Sequence, residues 1–415
     1  MPIAMCDITI EDVIETRAVS SAYQPIVDLD SGEIAAYEAL ARGPAHTSLE
    51  SPDRLFEAAV AANLTAPLDW LCRAAAVQGA LDAGLGSAVK LFINVEPSTL
   101  RTPPPVDVAS LIELASASLS IVVEVTERSL VSDPAGLVAA LSWIRASGMG
   151  VAIDDVGADP ASLALLPFIE PDVIKLDMSL VREQTYDQIA SIAGAVRADA
   201  ERRGATILAE GIETEEHLDR ALVLGARLGQ GWLFGRPGPL VLQPLRQRAN
   251  DNLISFCPSQ PVPTTPWSLV ADSPQRRITQ KRLLMPMSHH IEQRALTGDP
   301  CVVFGAFQSA AHFTAATVRR YENLAAQRSM VGAIGVGIGP RPAIGVRGGS
   351  LGADHPLGGE WTVTVVGPHD AAALIARDCG SDVSDRERLF EYVITHDRST
   401  VIAAARSLMQ HIDAT

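Results

Sequence analysis

A chain of 415 residues, 47% hydrophobic and 20% charged, is too long for one ordinary core and too apolar to stay disordered. Its net charge of -16 argues against DNA as a partner, because a phosphate backbone is gripped by clustered Lys and Arg. No run approaches the ~20 unbroken apolar residues of a membrane helix. The N-terminus lacks a basic segment followed by an apolar core, so no secretory signal and a cytoplasmic protein are expected. Cys6, Cys72, Cys257, Cys301 and Cys379 show no C-x-x-C spacing, which disfavours zinc and a disulfide framework and predicts buried thiols.

From about residue 20 apolar runs of strand length alternate with amphipathic stretches of helix length, the pattern of parallel strands with covering helices. In chain order the expected strands are Ala22–Leu29, Ile34–Ala41, Leu91–Val95, Ile121–Thr126, Val151–Asp155, Asp172–Leu176, Thr206–Ala209 and Arg227–Gly231. Helices are expected at Pro52–Ala62, Leu68–Ala83, Gly136–Ser147, Asp187–Arg203 and Glu215–Leu224. This predicts a TIM-like (β/α)8 barrel in an α/β protein. The turn Asp30-Ser-Gly-Glu33 is too short for a helical crossover, so the first strand should run antiparallel to the second.

Residues 237–275, rich in Pro, Ser, Gln and Asn, read as a closing helix and then a linker. A smaller mixed α/β domain should follow. Its expected elements are a helix at Arg277–Arg294, a strand at Cys301–Phe307 and a helix at Ala310–Gln327. Beyond these come a Gly-rich pair of runs over Val331–Val346, a strand at Trp361–Val366 and helices near Ala371–Arg377 and Ser399–Ile412. The expected division is a barrel over 1–245, a Pro-rich linker over 246–275 and a second domain over 276–415.

Function is legible in where the polar residues fall. Nearly every barrel strand ends in a residue that can bind metal or move a proton: Glu38, Asn94, Glu124, Asp154 with Asp155, Lys175, Glu210 and Gln230. One acid after a strand is ordinarily a turn residue or a helix cap, and Asp154-Asp155 alone could be an exposed turn. Seven coordinated placements converging on the C-terminal face of a barrel read instead as a site. Glu38, Asn94, Glu124 and Asp154 offer only oxygen, which suits Mg2+ or Mn2+. Asp154 and Asp155 together could bridge to a second ion, and a pair of hard cations ~3.5–4 Å apart suits attack of water on a phosphodiester. Lys175, one of three lysines in a chain that prefers arginine, could orient that water or stabilise developing charge. Glu210 fits either a general base or a ligand of the second metal.

The ordered motifs resemble those of EAL domains, the cyclic di-GMP phosphodiesterases. They are Tyr37-Glu-Ala-Leu-Ala-Arg42, Phe92-Ile-Asn-Val95, Glu124-Val-Thr-Glu127, Asp154-Asp155, Ile174-Lys-Leu-Asp177, Ala209-Glu-Gly-Ile-Glu-Thr214 and Gln230-Gly-Trp-Leu-Phe-Gly235. The resemblance implies hydrolysis of cyclic di-GMP to linear pGpG by a homodimer using two Mg2+ or Mn2+ ions. It implies one metal on Glu38, Asn94, Glu124 and Asp154 and the other on Asp154 and Asp155, with Glu210 acting beside them. Arg42 would meet a ligand phosphate, Glu127 and Glu213 would brace the loop after Asp155, and Gln24 and Pro25 would be structural. Active members usually follow the paired acids with Phe-Gly, a small residue and Gly-Tyr-Ser-Ser. Here the run is Val156-Gly-Ala-Asp-Pro-Ala-Ser162, which implies a regulated or slow enzyme; a non-hydrolysing cyclic di-GMP receptor is the alternative.

The second unit resembles the DICT sensory domain through Phe307-Gln308, His355-Pro-Leu-Gly-Gly-Glu-Trp361, Ala376-Arg-Asp378 and Thr395-His-Asp-Arg398. An unknown signal or protein partner is implied there. His396-Asp397 reads as a helix cap rather than a metal-dependent hydrolase motif. His289 and His290, adjacent on a helix, should point apart. Gly332–Gly352 has no G-x-x-x-x-G-K-[ST] run and should cradle no nucleotide.

Overall fold

The computed structural model describes residues 8–96, 99, 102–126, 131–159, 163–182, 186–242, 253–258, 261–297, 299–327, 330–380 and 383–414. The chain forms two compact units. The first is Met1–Ser129 with Ala140–Ala158 and Pro171–Ser259; the second is Leu130–Ala139 with Asp159–Glu170 and Gln260–Thr415.

Eight strands close the barrel of the first unit in chain order: β1 (Ser20–Asp28), β2 (Ile34–Arg42), β3 (Lys90–Asn94), β4 (Ser120–Thr126), β5 (Gly150–Val156), β6 (Val173–Leu176), β7 (Thr206–Ala209) and β8 (Leu228–Gln230). As expected from the Asp30–Glu33 turn, β1 is antiparallel to β2; it is antiparallel to β8 as well, and all other neighbours are parallel. The helices Pro52–Ala61, Thr65–Asp82, Pro134–Ala146, Tyr186–Arg203 and Glu215–Val223 stand where amphipathic spacing puts them. The helix Val106–Ser118 was not expected. Its sequence, nearly all small or apolar residues, shows no clear 3.6-residue stripe to read.

Ile26, Ala36, Phe92, Val122, Ala152, Val173, Leu208 and Leu228 fill the barrel interior. Ile254 joins them, and Leu253 and Phe256 pack against the same cluster. Residues 253–258, read from composition as linker, thus fold onto the first unit: Thr206 Oγ1 donates to the Leu253 carbonyl at 2.5 Å and Arg145 donates to the Cys257 carbonyl at 3.0 Å. The backbone N–H of Cys257 donates to Asp172 at 2.6 Å.

In the second unit β9 (Arg277–Gln280), β10 (Val302–Ser309), β11 (Met330–Val336), β12 (Ser350–Leu351), β13 (Glu360–Val366), β14 (Ala371–Asp378) and β15 (Leu389–Thr395) form one mixed sheet, ordered β12-β11-β10-β13-β14-β15-β9. The helices Lys281–Arg294 and Ala315–Ala325 bury Leu284, Ile291, Tyr321 and Leu324 against Val303, Phe307, Val363 and Leu374. Also in this unit, Phe168 meets Phe304 edge to face at 6.3 Å and Glu170 pairs with Arg406.

The run Ala371–Arg377, expected as a helix, is strand β14, paired on both sides with β13 and β15. Alanine favours helix locally, but here Ala371 to Ala376 are all buried, and two ladders plus that packing override a propensity worth tenths of a kcal/mol per residue. The expected helix from Arg277 begins instead at Lys281, after β9 pairs with β15. The expected helix from Ala310 splits into a single 3-10 turn and Ala315–Ala325. Asp397 caps the helix Arg398–Met409, accepting from the Thr400 N–H at 2.9 Å, as the cap reading of His396-Asp397 anticipates. Gly332 serves packing: a Cβ there would sit 2.6 Å from the Phe304 ring. Cys72 and Cys301 are buried as expected, but Cys257 is half-buried and Cys379 exposed, and Cys6 lies outside the described residues. Among the described residues no helix is long and apolar enough to cross a membrane.

Candidate active site

The barrel interior sets the site by simple alternation. Side chains two apart on a strand face the same way. Glu38, Asn94, Glu124, Asp154, Lys175, Glu210 and Gln230 each follow by two positions a member of the interior cluster, namely Ala36, Phe92, Val122, Ala152, Val173, Leu208 and Leu228. Seven strand ends therefore aim into one lumen, one layer toward its C-terminal mouth. On the reversed strand β1 the equivalent of Ile26 is Gln24, two positions before it.

At the centre is Lys175, 1% exposed. Its Nζ lies 2.8 Å from Glu124 Oε1, 2.9 Å from Glu210 Oε1, 3.0 Å from Asp154 Oδ1 and 3.5 Å from Glu38 Oε1. One ammonium thus faces four carboxylates, and the balance of charge is negative. Burial would depress Lys175, but Asp154, Glu124, Glu210 and Glu38 together hold it well above the usual lysine range. Burial raises Glu124 well above the carboxylate range, with Glu38 adding and Lys175 opposing. Burial likewise pushes Glu210 up to about 8, Lys175 opposing and Asp154 and Glu38 adding. Glu38 goes the other way: burial would raise it, but Lys175 and the amides of Gln230 and Asn94 outweigh burial and lower it.

The amide groups orient the acids. Gln230 Nε2 donates to Glu38 Oε2 at 2.5 Å and to Gln24 Oε1 at 3.0 Å, and Asn94 Nδ2 donates to Glu38 Oε1 at 3.0 Å. Gln24 donates to the Gly235 carbonyl at 3.0 Å, tying the loop after β8 to this chain of amides. Gly231, which starts that loop, has no room for a side chain, since a Cβ would lie 2.0 Å from the Ile212 carbonyl.

The paired acids sit on a bulge. Pairing of β5 with β6 slips between Ile153 and Val156, and Asp155 takes a left-handed φ of 58°. The irregularity turns Asp155 out of the alternation that governs Asp154, so both carboxylates can face the same space. Ligand atoms of Asp154, Asp155 and Glu210 all lie within 4.8 Å of one another. The buried oxygens of Glu124 meet no hydrogen-bond donor in good geometry, although Lys175 is close as an ion pair. Buried carboxylates that outnumber the one ammonium among them, in a pocket that offers only oxygen ligands, fit a hard divalent cation.

Arg42 ends β2, with Nη1 on the Ala41 carbonyl at 2.8 Å. Glu213 pairs with Arg182 at 2.8 Å, and its backbone N–H donates to His217. Glu127 and residues 160–162 lie outside the described residues. One support escaped the sequence reading. Asp69, buried on the helix Thr65–Asp82, accepts from the Glu96 N–H at 3.1 Å and from Thr99 Oγ1 at 2.5 Å, and pairs with Arg73. It anchors the loop that follows Asn94; its signal is an acid within the apolar run Leu68-Asp-Trp-Leu71, four residues before an arginine.

Residues 9–237 match the EAL domain family, and residues 268–378 match DICT, a sensory domain in diguanylate cyclases and two-component systems. The cyclic di-GMP phosphodiesterase RocR of Pseudomonas aeruginosa is 34% identical over 223 residues, covering 52% of this chain and 57% of that protein. The probable cyclic di-GMP phosphodiesterase PdeB of Escherichia coli is 30% identical over 239 residues, covering 55% of this chain and 45% of its own. The chain thus spans about half the length of these relatives. A solved structure of BlrP1 from Klebsiella pneumoniae, a manganese and cyclic di-GMP complex, is 35% identical with a TM-score of 0.48, covering 53% of this chain and 56% of that one.

Proposed function

The chain belongs to the EAL domain family, and from that premise we propose that it hydrolyses one phosphodiester of cyclic di-GMP to give linear pGpG. The observation that carries this reading is the excess of buried carboxylates around Lys175, gathered from four strands. Glu38, Asn94, Glu124 and Asp154 would hold one divalent ion, and Asp154 and Asp155 the other. Mg2+ or Mn2+ bound there would supply Lewis-acid charge for the attack of water on phosphorus.

Each residue then has a defined task. Glu210 accepts the proton of the attacking water, or completes the second metal site while solvent takes that proton, and the departing ester oxygen takes up a proton from solvent and leaves as a hydroxyl. Lys175 keeps the acids from repelling one another and offers its ammonium to charge developing on the phosphoryl group. Gln230, held by Gln24, fixes the direction of Glu38 and borders the substrate. Arg42, at the same end of the barrel, meets a ligand phosphate. Glu213 and Glu127 brace the loop after Asp155.

Residues 1–245 are then the catalytic domain and 276–415 a sensory domain that sets the rate, in a cytoplasmic homodimer. Support for regulation comes from chain continuity: Asp159–Glu170, which follows the paired acids in sequence, folds as part of the second unit. The test is direct. Purified protein is incubated with cyclic di-GMP and Mg2+ or Mn2+, and pGpG is followed by chromatography; tight binding without product would replace hydrolysis by a receptor role.

A further inference from the structure

The C-terminal unit contains a cavity of about 350 Å3 beside the end of β10, toward the lower end of small-molecule pockets, ~300–1,000 Å3. It runs along one face of the helix Lys281–Arg294, where Lys281, Met285, Ser288 and Glu292 recur at intervals of three or four residues. Phe307 and Trp361 stand opposite each other in the register of β10 and β13, so both rings project from the same face of the sheet. Both are buried and both line the cavity, which gives it one aromatic wall.

Charge sets the other requirement. The lining holds three full cations, Lys281, Arg320 and Arg386, against two acids, Glu292 and Asp385. Lys281 meets Asp385 at 2.7 Å and Arg320 meets Glu292 at 2.5 Å, whereas Arg386 has no ion pair among the described residues. The two histidines of the lining add nothing near pH 7. Burial and Arg320, against the pull of Glu292, lower His289; burial, Lys281 and Arg388, against the pull of Asp385, lower His312, so both rings are neutral there. Arg388, just outside, shares Asp385 and pairs with Asp378, so those outer charges cancel. Three cations against two acids leave a surplus of one positive charge, in a chain that carries -16 overall. A monoanion matches that surplus, and a phosphate dianion exceeds it.

The segment that carries Arg386 is anchored. The Lys281 N–H donates to the Arg388 carbonyl at 2.8 Å and the Arg282 N–H to the Arg386 carbonyl at 3.0 Å. These are the first N–H groups of the helix, so Arg386 is held at its positive end, where negative charge is favoured. Farther along the same face Ser288, 3% exposed, lines the cavity; its hydroxyl has no hydrogen-bond partner among the described residues and is not sealed from that space. Along the helix Ser288 lies about 10 Å from Lys281, at ~1.5 Å per residue.

We propose that this cavity binds a small planar aromatic monocarboxylate. The Arg386 guanidinium holds the carboxylate, the ring lies against Phe307 and Trp361, and a polar substituent at the far end of the ring reaches the Ser288 hydroxyl. Service as the signal input rests on the regulation proposed above; the binding does not.

The probe is 6-hydroxy-2-naphthoate, a flat monoanion near pH 7, with 6-hydroxy-2-naphthamide as its neutral counterpart of the same shape. Both are titrated calorimetrically into the full chain. Saturable binding of the acid and at least about tenfold weaker binding of the amide are expected. Arg386→Gln, at an exposed position, should leave the melting temperature unchanged and weaken the acid at least about tenfold. Arg319→Gln, which removes an exposed arginine outside the lining, should leave acid binding unchanged. Ser288→Ala should weaken the acid about two- to tenfold. The proposal falls if the acid does not saturate, if the amide binds equally well, if Arg386→Gln or Ser288→Ala leaves acid binding intact, or if Arg319→Gln costs as much as Arg386→Gln. Cyclic di-GMP turnover is measured separately on the same preparation, so loss of the phosphodiesterase reading leaves the binding result standing.

Discussion

Each unit buries a charged centre, and the two are balanced in opposite ways. In the barrel one ammonium, Lys175, faces four carboxylates delivered by four strands. In the C-terminal unit one carboxylate, Glu292, faces one guanidinium, Arg320. Excess negative charge in a low-dielectric space calls for cations, because protonating the acids is the alternative. A balanced pair calls for no further charge. Burial is common to both; the count of charges decides what each can hold.

The largest effect should come from Glu38→Ala, which removes an acid held by Lys175, Gln230 and Asn94. Turnover should fall more than ~100-fold with the circular dichroism spectrum unchanged, and unaltered turnover would refute the metal assignment. Next, Lys175→Met strips the cluster of its internal cation. Without divalent ions the melting curve should report a loss of about 3–5 kcal/mol, and added Mg2+ should restore much of it. If Mg2+ brings no recovery, the excess acids do not form a cation site.

In the second unit Leu374→Ala, in the middle of β14, should cost about 2–5 kcal/mol in urea unfolding and leave the carboxylate cluster unaffected. A cost under about 1 kcal/mol would contradict the buried-strand assignment. Proton release sharpens the contrast further. Burial raises both Glu124 and Glu210, and Glu210, at about 8, carries a proton at pH 7 that a divalent ion must displace. Mg2+ binding should therefore release on the order of one proton, measured by calorimetry in buffers of different ionisation heat; no release would contradict the raised values. The smallest effect is Asp397→Ala, which should cost about 0.5–2 kcal/mol through the lost helix cap and leave Mg2+ binding untouched.

The barrel was readable because its strands carry the same message at every level. Each is a short apolar run, every one after the first delivers a polar residue near its C-terminal end, and all eight lie within two residues of their expected bounds. Glu38, Asn94, Glu124, Asp154, Lys175, Glu210 and Gln230 were all named from those ends. The C-terminal sheet was harder because local preference and tertiary packing disagree: Ala371–Arg377 prefers a helix in isolation, and only its neighbours β13 and β15 make it a strand.

Residue order and alternation alone therefore determined the barrel, the antiparallel entry of β1 and the oxygen-rich ends, since these depend on period and chain direction. Tertiary structure decided what depends on distance between remote residues. It centred Lys175 among four acids, used a bulge to turn Asp155 toward the space beside Asp154, and folded residues 253–258 onto the barrel. It also set Glu292 against Arg320 within the second unit. Sequence spacing sets which face a side chain takes, whereas the number of charges that meet at one point is fixed only when the strands close.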